Sequence, residues 1–103
     1  EAESVLMVAD EASLMQAVET ALPDLVIADL SFPVSAGTNV ARLLKQRHPE
    51  IKVIILSVHE DPAAVDEVAA AGAEAFVLKR RAVVDLISAI REVRRGGRFG
   101  GFI

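Results

Sequence analysis

Apolar residues in this chain occur in two ways: as short unbroken runs, and in longer segments where they return every third or fourth place. The runs Val5–Ala9, Leu25–Ala28, Lys52–Ser57 and Ala75–Leu78 predict strands, and their lack of alternation predicts burial on both faces. The segments between them predict helices. Ala12–Leu22 carries Leu14, Met15, Val18 and Leu22 at helical spacing and stops at Pro23. Ser31–Gly37 reads as a loop punctuated by Pro33 and Gly37. Val40, Leu43 and Leu44 then form one apolar face of a helix running to about His48 and halted by Pro49. Asp61-Pro62 supplies a cap followed by proline at the first helical position, with Gly72 placed to close that helix. In the last helix Val83, Leu86, Ile87, Ile90 and Val93 form a single stripe, with Arg91, Glu92, Arg94 and Arg95 off it. Gly96-Gly97 ends it, so residues 1–97 read as one domain and 98–103 as a mobile tail or the start of a linker.

Strand and helix alternate throughout, which calls for a parallel sheet with right-handed crossovers and helices on its faces. Composition supports this. The chain has 103 residues, enough for one domain, and is 52% hydrophobic with 4 Phe and no Trp or Tyr, so its core must be aliphatic and alanine-rich. It has no cysteine, which excludes disulfides and thiolate chemistry. No apolar stretch is long enough to span a bilayer, so no membrane association and a cytoplasmic location are expected. A net charge of −4 argues against direct nucleic-acid contact. The bases are unevenly placed: none precedes Arg42, whereas Asp10, Glu11, Glu19, Asp24 and Asp29 all do. That asymmetry fits an acidic cation site at one end of the fold, and equally fits two oppositely charged solvated faces.

Candidate chemistry lies where the runs end. Leu25–Ala28 gives way to Asp29, Val53-Ile54-Ile55-Leu56 to Ser57, and Phe76-Val77-Leu78 to Lys79. The C-terminal edge of an open parallel sheet is where ligands bind. A carboxylate, a hydroxyl and an ammonium gathered there can receive a phosphoryl group. Each residue also has an ordinary reading. Asp29 could cap a loop, Ser57 could be a turn residue, Lys79 could belong to a solvated run with Arg80 and Arg81, and Phe76 could be a plain core aromatic. His48 and His59 are far apart in the chain and have no cysteine to help them hold zinc.

The segment Pro23-Asp24-Leu25-Val26-Ile27-Ala28-Asp29-Leu30-Ser31-Phe32-Pro33, followed by Gly37, resembles the phosphoacceptor strand and loop of response-regulator receiver domains. Leu56-Ser57-Val58-His59-Glu60-Asp61 is similar to their switch strand and loop, and Ala71–Lys79 to their final strand with its lysine. Ala89–Phe99 is similar to the end of the last receiver helix in the NarL/LuxR-type subfamily. The resemblance implies an α/β, flavodoxin-like (CheY-like) three-layer parallel sheet. It implies phosphorylation of Asp29 with Mg2+, a switch formed by Ser57 and Phe76, and phosphate binding by Lys79. Asp29, Asp10, Glu11 and the backbone carbonyl of Ser31 would hold the metal. The module would not be an enzyme. Its phosphoryl donor would be a sensor histidine kinase or a phosphotransfer protein, and its output an attached domain, a DNA-binding transcription regulator.

The front of the chain departs from the family pattern, with four strand candidates where receivers have five. One alignment matches Val5–Asp24 without gaps to the family's second strand and helix. The other makes Val5–Glu11 the first strand with its acidic pair and requires loss of the second strand and helix. The first needs no internal deletion and is preferred. With one short helix between them, the first strand can in either case lie directly beside Leu25–Ala28. A missing strand also leaves open a truncated receiver that acts only as a dimerisation or docking module, and it predicts a homodimer. A flavin protein or a small hydrolase is disfavoured by the lack of Trp, Tyr, a Gly-rich phosphate loop and a Gly-x-Ser-x-Gly elbow.

Overall fold

Four strands, β1 (Val5–Val8), β2 (Leu25–Leu30), β3 (Lys52–Ser57) and β4 (Ala75–Leu78), pair in that order into one all-parallel sheet. The structure is a computed structural model that describes residues 5–8, 16, 18–20, 23–30, 34–58 and 62–99, with 5–8, 29, 30, 34–40, 62 and 64 described as backbone. β2 runs two residues further than its apolar run. Asp29 and Leu30 stay in the strand because β3 continues alongside, pairing Leu56 with Asp29 and Ser57 with Leu30. Ladder partners for those backbone groups outweigh the poor strand propensity of aspartate.

Helix α1 (Val34–Arg47) starts earlier than expected, so residues 34–37 of the expected Ser31–Gly37 loop are helical. A proline just ahead of a helix removes no hydrogen bond, and one glycine in the first turn costs about 1 kcal/mol. Burial of Leu44 and Ala41 offsets that. Leu43, expected on the apolar face, is exposed. Helix α2 (Pro62–Ala70) opens on its proline and closes through Gly72, at φ 103°, whose amide donates to the carbonyl of Ala69 at 3.0 Å. Helix α3 (Ala82–Arg94) follows a 3-10 turn, Lys79–Arg81, that continues directly from β4. Its buried residues are Ala89 and Val93, with Ala82, Leu86 and Ile90 packed beside them. Val83 is 97% exposed and Ile87 56%, which corrects the expected stripe. Leu86, Ile90 and Val93 remain in it, and two alanines complete it because the helix comes close enough to the sheet to need small side chains.

Every step from β1 to β4 moves to the next strand in the same direction. Right-handed crossing then places all the connecting helices on one face. Val18, in the helical residues 16 and 18–20 between β1 and β2, shares a core cluster with Ala41 and Leu44 of α1 and Val68 of α2. Ile55, Val53 and Phe76 supply the sheet side of that cluster. α3 covers the opposite face, over Leu25, Ile27, Ile54, Leu56, Ala75 and Val77. The fold is therefore three-layered, with four strands among the described residues. In the flavodoxin-like order 2-1-3-4-5, the strand beside the third is the first. β1 pairs directly with β2, Val5 opposite Leu25 and Val8 opposite Ala28, so it occupies the first strand's place.

The start of the sheet is tied by ion pairs. Lys45 Nζ donates to Glu74 Oε2 at 2.6 Å and to the carbonyl of Ile51 at 2.9 Å, while Glu74 Oε1 accepts from the amide of Val53 at 2.8 Å. Arg94 grips Asp24 with two nitrogens, at 3.1 and 3.2 Å. Beyond α3, Phe99 pairs with Ala75 of β4, so this residue of the expected tail is attached to the sheet. Residues 100–103 lie outside the described residues.

Candidate functional site

The strand ends set the site's levels. Asp29 stands opposite Leu56 in β3, and Leu56 opposite Val77 in β4. One step further, Leu30, Ser57 and Leu78 are level, and Lys79 follows Leu78 directly. The three predicted polar positions thus fall at one rim of the sheet, on adjacent strands, within two residues of a common level. Strand alternation puts Ser57 on the same face as Ile55, and Phe76 is level with Ile55. The hydroxyl and the aromatic ring are therefore diagonal neighbours on one face. Both are buried: Ser57 is fully enclosed and Phe76 is 5% exposed.

A cleft of about 80 Å³ opens at this rim, lined by Ser57, Val58, Leu78, Lys79 and Arg80. Topology explains its position. β3 hands on to α2 on one face, whereas β4 hands on to α3 on the other, so the chain diverges between these two strand ends. Such divergence is what opens a crevice at the carboxyl edge of an α/β sheet. Buried Ser57 and half-buried Lys79 both line the cleft. Residues bearing a hydroxyl and an ammonium beside one small cleft are of the kind that binds a tetrahedral oxyanion. Arg80, assigned from sequence to a solvated run, also lines it. The sign that could have revealed Arg80 is its place in the tight turn Lys79–Arg81, which follows a buried strand without a spacer.

Of the other predicted site residues, Asp29 has its backbone in β2, while its side chain lies outside the described residues. Asp10, Glu11 and Ser31 also lie outside them, as does His59. β1 exits next to β2, with Val8 opposite the residue that precedes Asp29, so the chain leads from there into Asp10 and Glu11. Among the described residues, no group of three or more His, Asp or Glu side chains could hold a metal.

A parallel sheet of this order, with a basic and hydroxylic cleft at its carboxyl rim, is the architecture of a receiver module. The family model for the response regulator receiver domain matches residues 1–91, and the chain belongs to that family. Its relatives are regulators of the NarL/LuxR type. The transcriptional regulatory protein DegU of Brevibacillus brevis is 34% identical over 90 residues, which is 87% of this chain and 38% of that protein. A LuxR-family response regulator from Aurantimonas superposes with a TM-score of 0.81 at 26% identity, over 91% of this chain and 67% of that one. The response regulator RcsB of Salmonella typhimurium does so at 0.78 and 26% identity, over 88% of this chain and 46% of the other. The chain spans well under half the length of the curated relatives it matches, 38% of DegU and 34% of the Bacillus subtilis regulator LnrK. Receiver domains of two-component regulators are phosphoacceptor modules that a kinase phosphorylates, with Mg2+ as the usual metal.

Proposed function

We propose that this chain is a working phosphoacceptor, with Asp29 receiving the phosphoryl group, Lys79 and Ser57 binding it, and Phe76 reporting its arrival. The cleft that unites Ser57 and Lys79 at the rim where Asp29's strand ends is the observation that carries this reading. The donor is a phosphohistidine of a sensor kinase or phosphotransfer protein. Its N–P bond breaks as a carboxylate oxygen of Asp29 bonds to phosphorus, and the donor ring, already protonated on its other nitrogen, leaves as neutral imidazole. Transfer of this kind depends on positioning and charge, which the site supplies through a cation and a donor fixed at a strand end. Lys79 meets one phosphoryl oxygen as a point charge, and Ser57 donates to a second. The buried hydroxyl can do so only by drawing its loop inward, and Phe76, diagonal to it, follows into the vacated space.

The implied donors for Mg2+ are all hard oxygens: the carboxylates of Asp29, Asp10 and Glu11 and the carbonyl of Ser31. That set suits a small divalent cation, and the pairing of β1 beside β2 supports a place for it there. Bound, the metal would neutralise the repulsion between the acceptor carboxylate and the incoming phosphoryl oxygens. The output is an attached or partner DNA-binding regulator domain in the cytoplasm. A homodimer, formed through the outer edge of β1 or the apolar surface of α3, completes the reading.

The deciding experiment treats the chain with acetyl phosphate and Mg2+ and measures intact mass. One phosphoryl addition is expected, absent from Asp29→Asn. A chain that gains no mass, yet sediments as a dimer, would be a docking module instead.

A further inference from the structure

The backbone turns back after α3 instead of leaving the domain. Gly96, at φ 92°, reverses it, the amide of Gly97 donates to the carbonyl of Glu92 at 2.9 Å, and Phe99 arrives parallel to the outer edge of β4. There its amide donates to the carbonyl of Glu74 at 3.2 Å, and its carbonyl accepts from the amide of Phe76 at 3.1 Å. Its half-buried ring packs on the cluster that contains Ala75, Val77 and Val93.

Among the described residues β4 is the edge strand of the sheet, with β3 on one side. Phe99 therefore gives it a second neighbour at Ala75, next to Phe76, and the strand hands on directly to Lys79. We propose that Phe99 is a positioning residue for the phosphoryl site, its pairing with β4 fixing the strand that presents Phe76 and Lys79. This rests on the receiver reading above. A strand held on both sides keeps one lateral position, whereas one held on a single side can twist and carry its terminal lysine away. Two backbone hydrogen bonds and one half-buried ring also form an element light enough to open without unfolding the sheet. Attachment of this strap and occupancy of the site are then linked, each favouring the other by the same factor. Any segment that follows Phe99 is anchored to the strand that carries the signal.

The test uses this chain with beryllofluoride and Mg2+ as the phosphoryl mimic. Amide hydrogen exchange is read at Phe76 and Phe99, and mimic affinity is measured for the unsubstituted chain, Phe99→Ala and Phe99→Leu. Saturation should slow exchange at both amides by at least about fivefold, and Phe99→Ala should bind the mimic more weakly by the same factor. Phe99→Leu keeps the backbone pairing and an apolar side chain, and should bind within about twofold of the unsubstituted chain. If the mimic shifts the signals of Ser57 and Lys79 but leaves Phe99 exchange unchanged, the coupling is wrong and the receiver reading survives. Phe99→Ala that binds normally and only unfolds at lower urea likewise overturns it. Should that variant not fold, the exchange measurement on the unsubstituted chain decides. An unsubstituted chain that never binds the mimic removes both proposals together.

Discussion

The two ends of the sheet are built on different principles. Where the strands start, charges are closed on one another: Lys45 on Glu74, Glu74 on the Val53 amide, and Arg94 on Asp24. Where they finish, Lys79 and Arg80 line a cleft beside a buried serine. The first arrangement spends its polar groups on holding strands and helices in register. The second gathers them around a cleft. The base is tied by ion pairs, while at the rim β3 and β4 lead to helices on opposite faces of the sheet.

Three substitutions test that contrast. Glu74→Ala should have the largest effect on stability, about 3 kcal/mol by urea unfolding. It leaves a mostly buried Lys45 without its carboxylate and the Val53 amide without its acceptor. Its affinity for beryllofluoride should fall less than that of Lys79→Ala, since the side chain of Glu74 lines no part of the cleft and the backbone carbonyl that Phe99 uses is kept. Lys79→Ala should do the reverse, with phosphoryl-mimic binding weakened at least about tenfold by calorimetry and stability changed by less than about 1 kcal/mol. Comparable losses of stability and binding in both variants would erase the distinction between the ends. Val83→Ser should be the mildest, within about 0.5 kcal/mol, because Val83 is 97% exposed. A larger loss would mean that this surface of α3 is covered in solution.

Much of the architecture was legible in the sequence, and the failures have physical causes. β3 and β4 lie where their apolar runs predict, and Pro62 and Gly72 mark α2 because each serves a backbone need that few other residues meet. Proline and glycine signal a loop at the start of α1, whereas packing of Ala41 and Leu44 makes residues 34–37 helical. On α3, Val83 and Ile87 outrank Ala82 and Ala89 in hydropathy, yet the alanines are the ones that pack on the sheet. The rim position of Asp29, Ser57 and Lys79 followed from strand ends alone. The ion pairs did not: Lys45–Glu74 is separated by 29 residues and Asp24–Arg94 by 70, and nothing in local spacing records such pairings. Phe99 escaped for the same reason, its glycine-rich surroundings suggesting mobility while its partners lie back in β4.

The one-way march of the strands has a consequence for how the chain is made. Synthesis lays down the helices on one side first, and Leu25, Ile27, Ile54, Leu56, Ala75 and Val77 stay bare on the other until α3 emerges. Until then the nascent domain is a sheet with one roof, and its uncovered floor would stick to chaperones or neighbouring ribosomal products. The thirteen residues of α3 are the step that covers that floor.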